Sequence, residues 1–209
     1  MADTKISALT AATAFANANE FAINESGVSK KLTGSLLKEG IGCVLYNADG
    51  SQQAPSAGAT TYLTGSNITV PAGKLRANTV FRWTIHLDKS AAGTAARSIL
   101  VKVGTNGTTG DATIATLTSS TPSGVVDVGC YIVTFAITTI GASASSRATY
   151  AAWHNLSTTG LFGNETEAVT AAGTAFDSTV ANLIVGLAVT TGASEALTIR
   201  SMIAEAFNL

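Results

Sequence analysis

The sequence predicts an all-β protein, an antiparallel β-sandwich of jelly-roll type preceded by an extended N-terminal arm. Three observations lead there. Residues 61–209 carry one apolar, strand-length run after another, separated by Gly-, Ser-, Thr- and Asp-rich turns. Several runs alternate apolar and polar residues, the period of a half-buried strand. Helix signals are nearly absent, and Ala, Thr, Ser and Gly fill places that charged residues usually take.

Residues 1–40 read as an arm. Ile6 and Leu9 are isolated apolar anchors beside Lys5, and Phe15 follows in a polar strip. "EFAIN" alternates, with Phe21 and Ile23 on one side, Glu25-Ser26-Gly27 signals a turn, and "VSKKLT", with Lys30 and Lys31, reads as a return strand. "GSLLKEG" offers a Ser35 cap, one helical turn containing Leu36, and a Gly40 stop. Such a mini-hairpin buries too little to fold alone and needs a partner surface. Residues 41–60 pass from a short apolar run into Asn, Asp, Gly, Ser, Gln and Pro, and their second half reads as a linker.

In residues 61–209, "NTVFRWTIHLDK" sets Phe81, Trp83, Ile85 and Leu87 on one face and Arg82, Thr84, His86 and Asp88 on the other. "ARSILVKVG" turns Ile99, Val101 and Val103 inward and Lys102 outward, and the Gly-rich "GTNGTTGDA" leads into "TIATLTS". "CYIVTFAITTIG" has Tyr131, Val133, Phe135 and Ile137 on one face, while Ile132 and Ala136 make its other face apolar too. "RATYAAWHNL" places Thr149, Ala151 and Trp153 together, and "ETEAVTAAGTAFDST" holds a strand and a turn. "ANLIVGLAVTTG" is apolar on both faces, as a covered strand is. The closing "EALTIRSMIAEAFNL" has helical propensity in its second half but continues "LTIR" as a final strand.

Composition narrows the function. The chain of 209 residues is 46% hydrophobic and only 12% charged, with net charge −1. Either another copy or another protein covers much of such a surface, or Thr and Ser supply its polarity. No basic cluster exceeds Lys30-Lys31, so nothing marks a nucleic-acid or anionic-membrane footprint. No run is long enough for a membrane helix, and the N-terminus does not read as a secretory signal. The two cysteines, Cys43 and Cys130, read as free thiols in a reduced compartment. Asn-x-Ser/Thr triplets such as those at Asn67, Asn106, Asn155 and Asn164 are expected by chance in so Thr-rich a chain.

Chemistry is sparse. His86 and Asp88 form an i, i+2 pair on a strand's polar face, but further ligands are not evident, and no metal site or cofactor is expected. Glu165 and Glu167 share a side of one strand as glycosidase carboxylates would, and also as a solvated edge would. "GTNGTTGDA" lacks the Lys-Ser/Thr ending and following helix of a phosphate loop. No catalytic residues are assigned. The candidate ligand surface is Trp153-His154-Asn155, an aromatic face beside polar groups that would suit a sugar.

The stretches "TKISALTAA", "NEFAINESGVSKKLT" and "SLL" resemble the N-terminal segment of tailed-bacteriophage virion proteins such as tail fibres and related appendages. "LRANTVFRWTIHLDKSAAGTAARSILVKVGTNGTTGDATI", "HNLSTTGLF" and "FDSTVANLIVGLAVTTGASEALTIRSMIAEAFNL" are similar to a phage structural β-sandwich module. The resemblance implies a non-enzymatic, homotrimeric virion component, made in the bacterial cytoplasm and displayed on a head or a tail. Its partners would be other capsid or tail proteins, and a host surface glycan in the alternative reading of a receptor-binding module. The chain is short for a full tail fibre, which favours a head fibre, a decoration or cement protein, or a tail adaptor. The anchoring residues would be Lys5, Ile6, Leu9, Phe15, Phe21, Ile23, Lys30, Lys31 and Leu36.

Overall fold

β-branched and aromatic residues alternating with small polar ones fit a pleated, half-buried surface, and they build strands here almost throughout. The structure is a computed structural model that describes residues 20–25, 28–33, 45–89, 95–122, 124–154, 166–194 and 197–209. The chain divides into two compact units, Met1–Cys43 and Val44–Leu209.

In the first unit, β1 (Glu20–Glu25) and β2 (Val28–Thr33) pair antiparallel, with Phe21 opposite Leu32 and Ile23 opposite Lys30. This is the hairpin expected from "EFAIN" and "VSKKLT". Lys5, Ile6, Leu9, Phe15, Leu36 and the Ser35-capped turn lie outside the described residues.

The second unit begins with β3 (Leu45–Asp49), β4 (Thr60–Tyr62) and β5 (Ile68–Val70). The longer strands β6 (Val80–Lys89), β7 (Ser98–Gly104), β8 (Ala112–Thr118) and β9 (Asp127–Thr139) follow. β10 (Ser145–His154), β11 (Thr166–Ala172), β12 (Leu183–Thr190) and β13 (Leu197–Phe207) complete it. No helix occurs among the described residues.

The pairing is nested. β3 pairs with β13, β4 and β5 with β12, β6 with β9, and β7 with β8. First meets last and so on inward, so the chain is one long hairpin rolled on itself, which is a jelly roll. One sheet runs β11-β10-β9-β6-β13-β3 and the other β4-β12-β7-β8, with β5 also on β12. The hairpin of β10 and β11 widens the first sheet beyond the jelly-roll set.

Between the sheets lie the residues that alternation turned inward. Phe81, Trp83, Ile85 and Leu87 of β6 and Tyr131, Val133, Phe135 and Ile137 of β9 are all buried. Ile99, Val101, Leu117, Val185 and Leu187 face them from the second sheet. The Trp83 indole N–H donates to the Ser66 carbonyl at 2.7 Å, so its polar atom is satisfied in the core.

Three local results refine the sequence reading. First, the stretch 41–60 is not simply linker. Its residues 45–49 form edge strand β3 on β13, and Gln53 bridges Ile199. The Asn47 amide donates to the Asn67 carbonyl at 2.8 Å, tying β3 to the start of β5. Second, β12 is apolar on both faces because Tyr62 lies across its outer side. A Cβ on Gly186 would stand 2.0 Å from the Tyr62 hydroxyl oxygen. Third, the final strand contains a bulge between Ile199 and Ser201. Leu197, Ile199, Met202, Ala204 and Ala206 are all buried, so the inward phase shifts at Arg200. The helical propensity of the strand's second half is overridden by pairing with β6 and β3 on either side.

Candidate functional site

The outward face of the six-stranded sheet carries the candidate ligand residue. Alternation sends His86 and Asp88 of β6, Val128 and Cys130 of β9 and Trp153 of β10 outward, and register sets Cys130 beside both His86 and Trp153. Together with Leu87 and Gly129 they line a shallow groove of about 430 Å³. Trp153 is 45% exposed, unlike the fully buried Trp83, and lines that groove. His154 ends β10 opposite Gly129. Asn155 lies outside the described residues, so the structure places only Trp153 of the expected triplet as a surface side chain.

The polar groups of the groove already satisfy one another. The His86 ring Nδ1 and the Ser201 hydroxyl lie 2.9 Å apart. Asp88 accepts from the Arg200 guanidinium, which also donates to Gln52. Both contacts depend on the β13 bulge, which turns Arg200 and Ser201 outward in succession. Burial pushes the Cys130 thiol up, against a smaller opposing effect of a hydrogen bond with the Ile85 backbone. A thiol held in its neutral form is a poor nucleophile and a poor soft-metal ligand. Among the described residues no group of three or more His, Cys, Asp or Glu side chains is gathered to hold a metal ion. Glu167 stands in β11 opposite Ala152, and Glu165 lies outside the described residues.

A second recess, of about 390 Å³, opens beside the Gly-rich turn between β7 and β8 and includes Asp111, Phe176 and Asp177. The turn aims its backbone N–H groups at a carboxylate of the protein itself. Asp111 accepts from the N–H of Gly107 at 2.7 Å and from those of Asn106 and Thr108 at 3.2 Å each. The nest that resembled a phosphate cradle is therefore filled from within. Beneath it the buried Lys102 ammonium donates to the Thr109 and Asp111 carbonyls and the Thr113 hydroxyl, at 2.8–2.9 Å. Burial first, and the Asp111 charge second, push the Tyr62 phenol up to about 12. At the recess rim, the Thr179 hydroxyl and N–H hold the Asp177 carboxyl below its usual range.

Sequence reasoning missed Ser201 and Arg200 as groove residues. Their outward aim comes from a bulge, and no alternation pattern announces it. No protein-family model matches this chain, and no curated protein matches it.

Proposed function

We propose that this chain is a non-enzymatic structural protein of a bacteriophage virion, held by its N-terminal unit and displaying the jelly roll on the particle. The observation that carries the reading is the nested pairing of β3 with β13, β4 with β12, β6 with β9 and β7 with β8. Jelly rolls of this kind build viral capsid domains, and also lectins and cupins. That is a likeness of fold, and fold by itself does not assign function. It acquires weight from the N-terminal unit, Met1–Cys43, whose sequence resembles phage attachment segments.

The groove gives the reading further support. A catalytic site keeps a base or a nucleophile poised. Here Asp88 is paired with Arg200, and among the described residues no carboxylate orients His86, whose ring lies 2.9 Å from the Ser201 hydroxyl; the Cys130 thiol is pushed up by burial. The alternative of a host-glycan module would rest on Trp153. Its neighbouring polar groups are committed to each other, which leaves few free hydrogen-bonding partners for a sugar ring.

The experiment compares labelled full-length chain with residues 44–209 for co-sedimentation with purified particles of the encoding phage. Full-length chain should pellet with particles while the truncated chain stays soluble and folded. Absence of the protein from purified particles, or equal attachment without the arm, would refute the proposal.

A further inference from the structure

The turn between β7 and β8 contains a reactive dipeptide. Asn106-Gly107 is the only place in the chain where glycine follows asparagine. Such a pair is chemically labile, because glycine has no Cβ to hinder attack by its own backbone nitrogen on the preceding side chain. In that step a bond forms between the Gly107 nitrogen and Asn106 Cγ. The Gly107 N–H proton passes through water to the leaving amide, and ammonia departs as the Cγ–Nδ2 bond breaks. Water then opens the five-membered imide at either carbonyl, leaving aspartate or isoaspartate at position 106. Net, one water is consumed and one ammonia released. Asn106 is exposed to the water this requires.

The folded turn opposes the first step. Asp111 accepts in succession from the N–H groups of Asn106, Gly107 and Thr108, at 3.2, 2.7 and 3.2 Å. These bonds fix both peptide planes that flank Gly107, which is held at a φ of 70° or less, +64°, in the left-handed region. Asp111 Oδ1 also accepts from Asn106 Nδ2 at 3.3 Å, so nucleophile and leaving group are tied to one carboxylate. Ring closure rotates the Asn106–Gly107 peptide plane to bring its nitrogen onto Cγ. That rotation swings the Gly107 N–H off Asp111 and breaks the shortest bond of the set. Asp111 is itself anchored, being 6% exposed with its main-chain carbonyl accepting from the Lys102 ammonium.

We propose that Asn106 is a site of spontaneous deamidation gated by the Asp111 clasp: it reacts when the turn opens, and its product cannot rebuild the turn. Aspartate there sets a second carboxylate against Asp111 where an N–H donor stood, and like charges repel. Isoaspartate adds a methylene to the main chain and spoils the spacing of the three N–H groups that Asp111 receives. Opening is reversible; opening followed by reaction is not. The chemistry depends on the turn alone and not on what the N-terminal unit binds.

Tryptic mapping tests this. Cleavage after Lys102 and Arg147 frees residues 103–147, in which Asn106 is the only asparagine or glutamine. A gain of one mass unit in that peptide, followed over days in mildly alkaline buffer, gives the rate. The native chain should react at least about tenfold more slowly than the same chain in guanidinium chloride, because only its open fraction reacts. Asp111→Ala should raise the rate of the folded protein toward the denatured value. Gly104→Ala, whose Cβ would meet the Asp111 carboxylate, should do so too. A cooperative thermal melt checks that each variant is folded. Asn106→Asp should lower the urea midpoint of the parent. Equal rates in native and denatured chain, a comparison that needs no variant, would overturn the proposal. So would folded Asp111→Ala and Gly104→Ala proteins that react no faster than the parent, no reaction in the denatured chain, or an Asn106→Asp chain as stable as the parent.

Discussion

Replacing Asp111 with Ala removes the centre of the β7–β8 turn. The carboxylate accepts four hydrogen bonds, three from backbone N–H groups and one from the Asn106 amide at 3.3 Å. The Gly107 contact, at 2.7 Å, is short; the others, at 3.2–3.3 Å, sit at the long end of the range. A bond to a charged group contributes about 1.5–3 kcal/mol net, and the three long ones contribute less. The turn is largely exposed, so water replaces part of what is lost. The expected destabilisation is therefore about 3 kcal/mol, well below four full charged bonds. Urea unfolding followed by Trp83 fluorescence reads it, because that indole is fully buried in the native state. Gly104→Ala attacks the same carboxylate from the other side, since its Cβ would meet an Asp111 oxygen at 2.3 Å. The double variant should lose much less than the sum of the singles. A loss below about 1 kcal/mol for Asp111→Ala would refute the claim that this carboxylate organises the turn.

Other outcomes follow from the same geometry. Trp83→Phe should destabilise by about 1–3 kcal/mol in the same urea assay, because it orphans the buried Ser66 carbonyl and leaves a void. Tyr62 should remain protonated, by absorbance titration, after ordinary tyrosines have ionised. Its folded value, about 12, lies above the unfolded 10.0, so its contribution is complete below pH 10 and fades as pH rises through about 12. Thermal midpoints across that window should fall less in Tyr62→Phe. Cys130 should react more slowly than a free thiol with an aromatic disulfide reagent at pH 8, measured in a Cys43→Ser background. Deleting Arg200 removes the bulge and should abolish cooperative unfolding. Without it either Leu197 and Ile199 or Met202 and Ala204 must turn to the outer face.

What could be seen in the sequence followed the side-chain period. The two faces of β6 and the double-sided burial of β12 follow from alternation alone; alternation groups Trp153 with Thr149 and Ala151 but does not say that this side of β10 faces out. β3 was hidden because "LYNADG" has linker composition; it is held by main-chain pairing with β13 and the Asn47 clasp. β4 and β5 have three residues each, too few to show a period. The groove was half visible. Trp153 could be named, but its neighbours His86 and Cys130 come from other strands, and only inter-strand register brings the three together.

The bulge at Arg200 joins the core of this protein to its surface. Strict alternation after Ile199 would send Ser201 inward and Met202 outward. One extra residue restores Met202, Ala204 and Ala206 to the core, where each is fully buried. It also leaves Arg200 and Ser201 both outward, one on Asp88 and the other on His86. The Glu205 that follows in restored phase meets Arg82 instead of the interior. Exposed ion pairs of this kind add little to stability, typically under about 1 kcal/mol. The weight of the bulge in folding therefore lies in the three side chains it returns to the core, and the two ion pairs follow from the same shift of phase.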